Sequence, residues 1–299
     1  MKIQLKADLL LVIVALTWGV SYYVMDICLT SIEPFMLNAI RFLTAFFVAG
    51  LLGIKKMKSV SRNTLKYSLF VGTALCMVYI GATFGVKYTT ISNAGFLCGM
   101  TVVFVPILSF LFLRRIPEKK TVITVLASLV GIMLLTLKDD FSINTAHIKG
   151  DLFCILCSSA YATDLLLTEK AVSHKDVDAF QLGVFQLGVS GIWMTLFMVL
   201  FEDPQSAQLS QISAVWGYVA FLAVFSTGIC YIAQTIAQKY TTASHVGIIF
   251  AMEPVFASLS AFFLAGEVLT VKSYIGALII LSALIATEID FKKMRRERL

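Results

Sequence analysis

Charge is scarce in this chain. Only 14% of its 299 residues are Asp, Glu, Lys or Arg, while 59% are hydrophobic and the mean hydropathy is +0.87. A soluble domain is about a quarter charged. A chain this apolar has too little polar surface to face water, so lipid must be its solvent. Period-2 alternation is missing from the apolar runs, which excludes a membrane β-barrel and leaves helices. Also missing are a Walker A sequence, an H-E-x-x-H, a G-x-S-x-G and a histidine-rich cluster; there are 3 histidines in all. Direct ATP drive and the familiar hydrolytic or metalloenzyme chemistries therefore have no footing, and no enzyme activity, cofactor or metal is expected. The six cysteines (Cys28, Cys76, Cys98, Cys154, Cys157 and Cys230) lie in or at the ends of apolar runs. They form no disulfide framework, and the C-x-x-C of Cys154 and Cys157 reads as small buried helix residues.

What is present is a series of apolar runs: 8–29, 34–54, 67–86, 92–113, 121–137, 151–171, 179–201, 214–238, 242–265 and 272–288. Each is close to the roughly 20 residues that cross about 30 Å of hydrocarbon. The reading is an all-α integral membrane protein of ten transmembrane helices. The N-terminus resembles a signal peptide but lacks a small-x-small cleavage site, so the first run is expected to be a retained helix. With that end inside, the inner segments carry 19 of the 24 lysines and arginines and the outer ones 4, namely Lys87, Lys138, Lys149 and Lys272; Arg41, within a helix, is the last. The bias predicts both termini in the cytoplasm. It also accounts for the net charge of +6 without nucleic acid, and the basic tail 292–298 reads as an anchor against anionic lipid.

The chain repeats itself. Residues 87–95 (KYTTISNAG) and 239–247 (KYTTASHVG) share six identities in nine. The same offset pairs Tyr79 with Tyr231, Ile80 with Ile232 and Thr83 with Thr235, and farther upstream Asp8-Leu9 matches Asp151-Leu152. Halves of five helices, 1–140 and 141–299, must enter the membrane from opposite sides, because five is odd. Inverted repeats of this kind are a transporter architecture, in which two halves exchange conformations around one site.

Several segments together resemble the EamA-type members of the drug/metabolite transporter superfamily, over essentially the whole chain. They are Leu16-Thr17-Trp18-Gly19, Arg41-Phe42, the two Lys-Tyr-Thr-Thr segments, and Met252-Glu253-Pro254-Val255-Phe256 followed by Gly266-Glu267. The resemblance implies a ten-helix fold with a central cavity and export of small metabolites, amino acids or drugs from the cell membrane. The sequence departs from the pattern at Arg114-Arg115, where the repeat partner has Gly266-Glu267, and at Asp164, a position usually uncharged in the family.

The candidate site residues follow from the cost of polarity in lipid. Glu253 lies mid-helix, where a carboxylate costs about 2.5–3.5 kcal/mol unless paired, hydrated or protonated. It reads as a proton-coupling or substrate-amine group, against a structural bond at the kink that Pro254 invites. Arg41, about 10 Å into the second helix at 1.5 Å per residue, keeps its proton. It reads as a binder of a substrate carboxylate or a partner of Glu253, against a snorkelling arginine. Asp164 reads as a substrate or cation ligand, against a polar contact between helices. His245 and Asn93 are repeat-related, and either helix-end caps or, for His245, a group titrating near neutrality. Trp18, Tyr22, Tyr79, Tyr161 and Tyr231, with Gln234 one turn from Tyr231, are candidates to line a cavity and stack on a substrate. Gly81, Gly85, Gly95 and Gly99 suit close helix packing; Gly95, Gly99, Pro106, Gly247 and Pro254 are candidates for hinges or gates. The partners expected are a small-molecule substrate and the lipid bilayer, with a homodimer left open. The leading reading is a secondary exporter of amino acids or similar metabolites by alternating access, with proton coupling as an option. The alternative is a receptor or accessory subunit that binds a ligand without moving it.

Overall fold

A computed structural model describes residues 2–89, 91–136, 148–203, 209–265 and 270–288. Every regular element among them is helical. In order they are α1 (Lys2–Leu29), α2 (Pro34–Leu52), a 3-10 turn (Lys56–Lys58), α3 (Arg62–Tyr88), α4 (Ile91–Gly99), α5 (Thr101–Leu113), α6 (Lys119–Thr136), α7 (Ile148–Val172), α8 (Ala179–Phe201), α9 (Leu209–Phe221), a π-helical stretch (Leu222–Ile229), α10 (Cys230–Ala237), α11 (Ala243–Phe250), α12 (Glu253–Ala265) and α13 (Val271–Glu288). Among the described residues, eight segments are long and apolar enough to cross a membrane, and Val271–Ala286 is a shorter apolar one. Phe47, Leu51, Phe112, Ile123, Leu200 and Phe201 are among many large apolar side chains left exposed. In water such a surface would aggregate, whereas in a bilayer it faces lipid. Gly266, Glu267 and the basic tail lie outside the described residues.

The first helix begins at Lys2, earlier than the apolar run, because Lys2 and Lys6 continue the helix beyond its apolar part. α3 packs along α7, α2 along α8, α6 along α13 and α1 along α12. Glycine sets the closest of these approaches. A Cβ on Gly81 would stand 2.5 Å from the backbone nitrogen of Cys157, and one on Gly19 would stand 2.8 Å from that of Ala257. Gly95 differs, for a Cβ there would meet nothing within 4 Å.

Three of the expected straight helices are interrupted. α4 gives way to α5 at Met100 (φ −62°, ψ −6°). Pro106 is not the break and lies inside α5. α11 gives way to α12 at Ala251 and Met252, so Pro254 falls in the first turn of α12, where its missing N–H is no loss. The two breaks touch: a Cβ on Gly99 would come within 3.2 Å of Pro254 Cγ. The third interruption is the π-helical stretch between α9 and α10. Its i→i+5 bonding makes a wider turn, of a kind frequent at functional sites.

Candidate functional site

The carbonyl of Ser226, inside the π-helical stretch, accepts a bond from Trp18 Nε1 at 2.8 Å. That bond fixes the indole at the centre of an aromatic cluster. Its ring centroid lies 4.9 Å from Tyr231, 5.0 Å from Phe250 and 5.8 Å from Tyr161. Tyr79 lies 5.9 Å from Tyr231, its repeat counterpart. These rings from α1, α3, α7, α10 and α11 converge because each stands on a helix face turned to the interior.

Above this layer, towards the Leu29 end of α1, is a cavity. Trp18, Tyr22, Arg41, Tyr79, Tyr161, Tyr231, Gly99, Gly247 and Glu253 line it. Its empty volume is about 640 Å³, including space that opens to solvent.

Arg41 is 1% exposed, so it does not snorkel. Its guanidinium donates to Thr227 Oγ1 at 3.2 Å, the Tyr79 hydroxyl at 3.3 Å and Ser226 Oγ at 3.5 Å, and its Cζ stands 4.8 Å from the Tyr79 ring centroid. All these partners are neutral. Among the described residues it has no carboxylate partner, and it forms no ion pair with Glu253. Glu253, first residue of α12 after the break, is half-buried, with the Tyr22 hydroxyl as its polar neighbour. A fixed cation and a carboxyl group thus face one space, held apart among aromatic rings.

The opposite end is closed in layers. Below the rings, the Tyr161 hydroxyl donates to Gln234 Oε1 (2.8 Å), Gln234 Nε2 donates to Gln238 Oε1 (3.1 Å), and Gln238 Nε2 donates to the carbonyl of Leu165 (3.0 Å). Lower still, His245 Nε2 meets Asp8 Oδ1 at 3.2 Å. Glu169 accepts from the backbone N–H of Ala243 at 2.7 Å, capping α11, and also pairs with Arg115. At the cavity end, Lys87 pairs with Glu33, and Glu202 accepts from the N–H groups of Phe35 and Met36 at 2.7 and 2.8 Å, capping α2. Burial pushes the Glu202 carboxyl above its ordinary range; the two N–H bonds and Lys87 oppose the shift without cancelling it.

Of the other candidates, Asp164 is fully buried behind the ring layer and does not line the cavity. Gln234 is buried in the polar chain, and His245 sits in the closed end. The side chain of Asn93 lies outside the described residues. Sequence reasoning missed Asp8, Ser226, Thr227, Phe250 and the cavity-lining Cys98 and Cys157. Only Asp8 carried a signal, as one of the repeated Asp-Leu pairs.

The EamA-like transporter family matches this chain twice, over residues 5–137 and 148–288. An uncharacterized transporter of Archaeoglobus fulgidus is 30% identical over 284 residues, covering 94% of this chain and 85% of that one. The uncharacterized transporter YoaV of Bacillus subtilis is 21% identical over 98% of this chain and its own full length. A protein of known crystal structure superposes with TM-score 0.79 at 17% identity, over 98% of this chain and 99% of that one; that likeness concerns the fold.

Proposed function

The chain belongs to the EamA-like transporter family, a family of multi-pass membrane proteins found in the plasma membrane of bacteria and archaea, and on that premise we propose that it exports amino acids or closely related zwitterions by alternating access. The observation that carries this reading is the cavity holding Arg41 and Glu253 without an ion pair between them. A guanidinium lacking an anion suits an α-carboxylate. A carboxylate across the same space suits an α-ammonium group. The aromatic walls accept an apolar side chain.

Two five-helix halves, divided near residue 140 and crossing the membrane in opposite senses, supply the alternation. The breaks at Met100 and at Ala251–Met252 lie one repeat apart and touch, as broken helices do at transporter sites. With both termini in the cytoplasm, the cavity lies on the outer side and the Asp8–His245 layer is the closed inner gate. The drive in this reading is the proton gradient or the substrate's own gradient, with a carboxyl group buried in the membrane as the coupling element in the first case.

The test compares metabolites inside and outside cells that express the wild type or Glu253→Gln at equal membrane levels. Amino acids accumulating outside with the wild type alone support export and place Glu253 in it. No change in any metabolite with either protein removes the exporter reading.

A further inference from the structure

One buried acid takes no part in the cavity. Asp164 is 0% exposed, and neither of its carboxyl oxygens has a hydrogen-bond partner. Thr168, one turn on along α7 and also 0% exposed, has an unpartnered hydroxyl. At i and i+4 the two share a helix face. The amide of Gln234 is a polar neighbour of Asp164: its oxygen accepts from Tyr161, and its Nε2 gives one of its two N–H groups to Gln238. Among the described residues, the elements packed on α7 bring no cation into an ion pair with Asp164. On α3 the titratable groups are Cys76 and Tyr79, with Arg62, Lys66, Tyr67, Lys87 and Tyr88 at its ends; α4 has Cys98, α11 has His245, and α5 has none. Tyr231 of α10, and Tyr161 of α7 itself, are the groups within electrostatic reach. Arg41 is held by Thr227, Tyr79 and Ser226 on the other side of the ring layer.

A carboxylate buried without a counter-ion is among the costliest arrangements in a protein. What is missing here is positive charge: among the described residues no cation pairs with Asp164, and its only close company is the Thr168 hydroxyl, the Gln234 amide and two tyrosines. A sodium ion would need several more oxygens and a cavity of its own. A proton needs neither, and turns Asp164 from an acceptor into a donor. We infer that Asp164, with Thr168 beside it, is a proton-binding site separate from the substrate cavity, and that its proton is the one exchanged against substrate. The site borders the Tyr161–Gln234–Gln238 chain, which runs from the cavity wall towards the closed end, so opening that end is what brings water to Asp164. This assignment rests on the transport reading for its coupling role, but not for the proton site itself.

Infrared spectroscopy of the full chain in lipid vesicles tests the site without any substrate. Expected at neutral pH is the stretch of a protonated carboxyl group. It is lost in Asp164→Asn and retained in Glu253→Gln. Absence of the band from the wild type, its persistence in Asp164→Asn, or its bleaching by sodium at constant pH would overturn the inference. The same vesicles, loaded with a mixture of amino acids, test the coupling. A pH gradient should change the amount retained with the wild type, and that dependence should be lost in Asp164→Asn; if it survives there, the coupling role fails. If the wild type moves none of the mixture, the amino-acid reading fails, and the infrared band still decides whether Asp164 holds a proton.

Discussion

Arg41 and Glu253 were legible as costly residues in apolar runs, and that cost is a sound guide because lipid offers no water to solvate them. What the runs did not contain was the partner set of each. Arg41 is held by Thr227 and Ser226, which lie almost two hundred residues away in a stretch whose π-helical turn no periodicity announces. The neutrality of those partners gives the first prediction. Arg41→Lys keeps the charge but loses the fork, and a charge-assisted bond is worth about 1.5–3 kcal/mol. Apparent substrate affinity should therefore fall by about 10-fold to 100-fold with the fold intact, which saturation of labelled amino-acid uptake would measure. Unchanged affinity would remove Arg41 from the site.

At the scale of the element, the apolar runs placed the helices, but small residues do two jobs that sequence alone does not separate. Gly81 and Gly95 both stand in G-x-x-x-G patterns. Only Gly81 is pressed against another backbone, that of Cys157. Gly81→Ala should therefore lower the melting temperature in detergent sharply, by separating α3 from α7. Gly95→Ala meets open space, and should leave stability unchanged or raise it by up to about 1 kcal/mol through helix propensity. The opposite ranking would contradict the packing described. Pro106 and Pro254 teach a similar lesson: a proline marks a position where a helix is weakened, while the breaks fall at Met100 and Ala251–Met252, which touch through Gly99 and Pro254.

The Glu202 cap was not legible at all, because it joins the end of α8 to the start of α2. Its removal in Glu202→Ala should cost about 1 kcal/mol, as loss of a helix cap does. The sign of its pH dependence follows from the raised carboxyl. The folded state holds this proton more tightly than the unfolded chain, so stability from this group is greatest below the ordinary glutamate range and declines as pH rises through its folded value. Thermal melts across that range should show the decline in the wild type and its absence in Glu202→Gln.

For the whole molecule, the paired segments 87–95 and 239–247 were the strongest message in the sequence. The closure of one end was less visible. It depends on contacts such as Asp8 with His245 and Glu169 with Ala243, between residues far apart in the chain. A cavity near one end with layers of polar contacts closing the other is what an alternating carrier shows in one of its two states. Counterflow in proteoliposomes made with the purified chain tests this most directly. The account predicts saturable uptake of a labelled amino acid that is accelerated by unlabelled amino acid inside and is lost in Arg41→Ala. Binding of amino acids without uptake, or uptake indifferent to what lies inside, would contradict it.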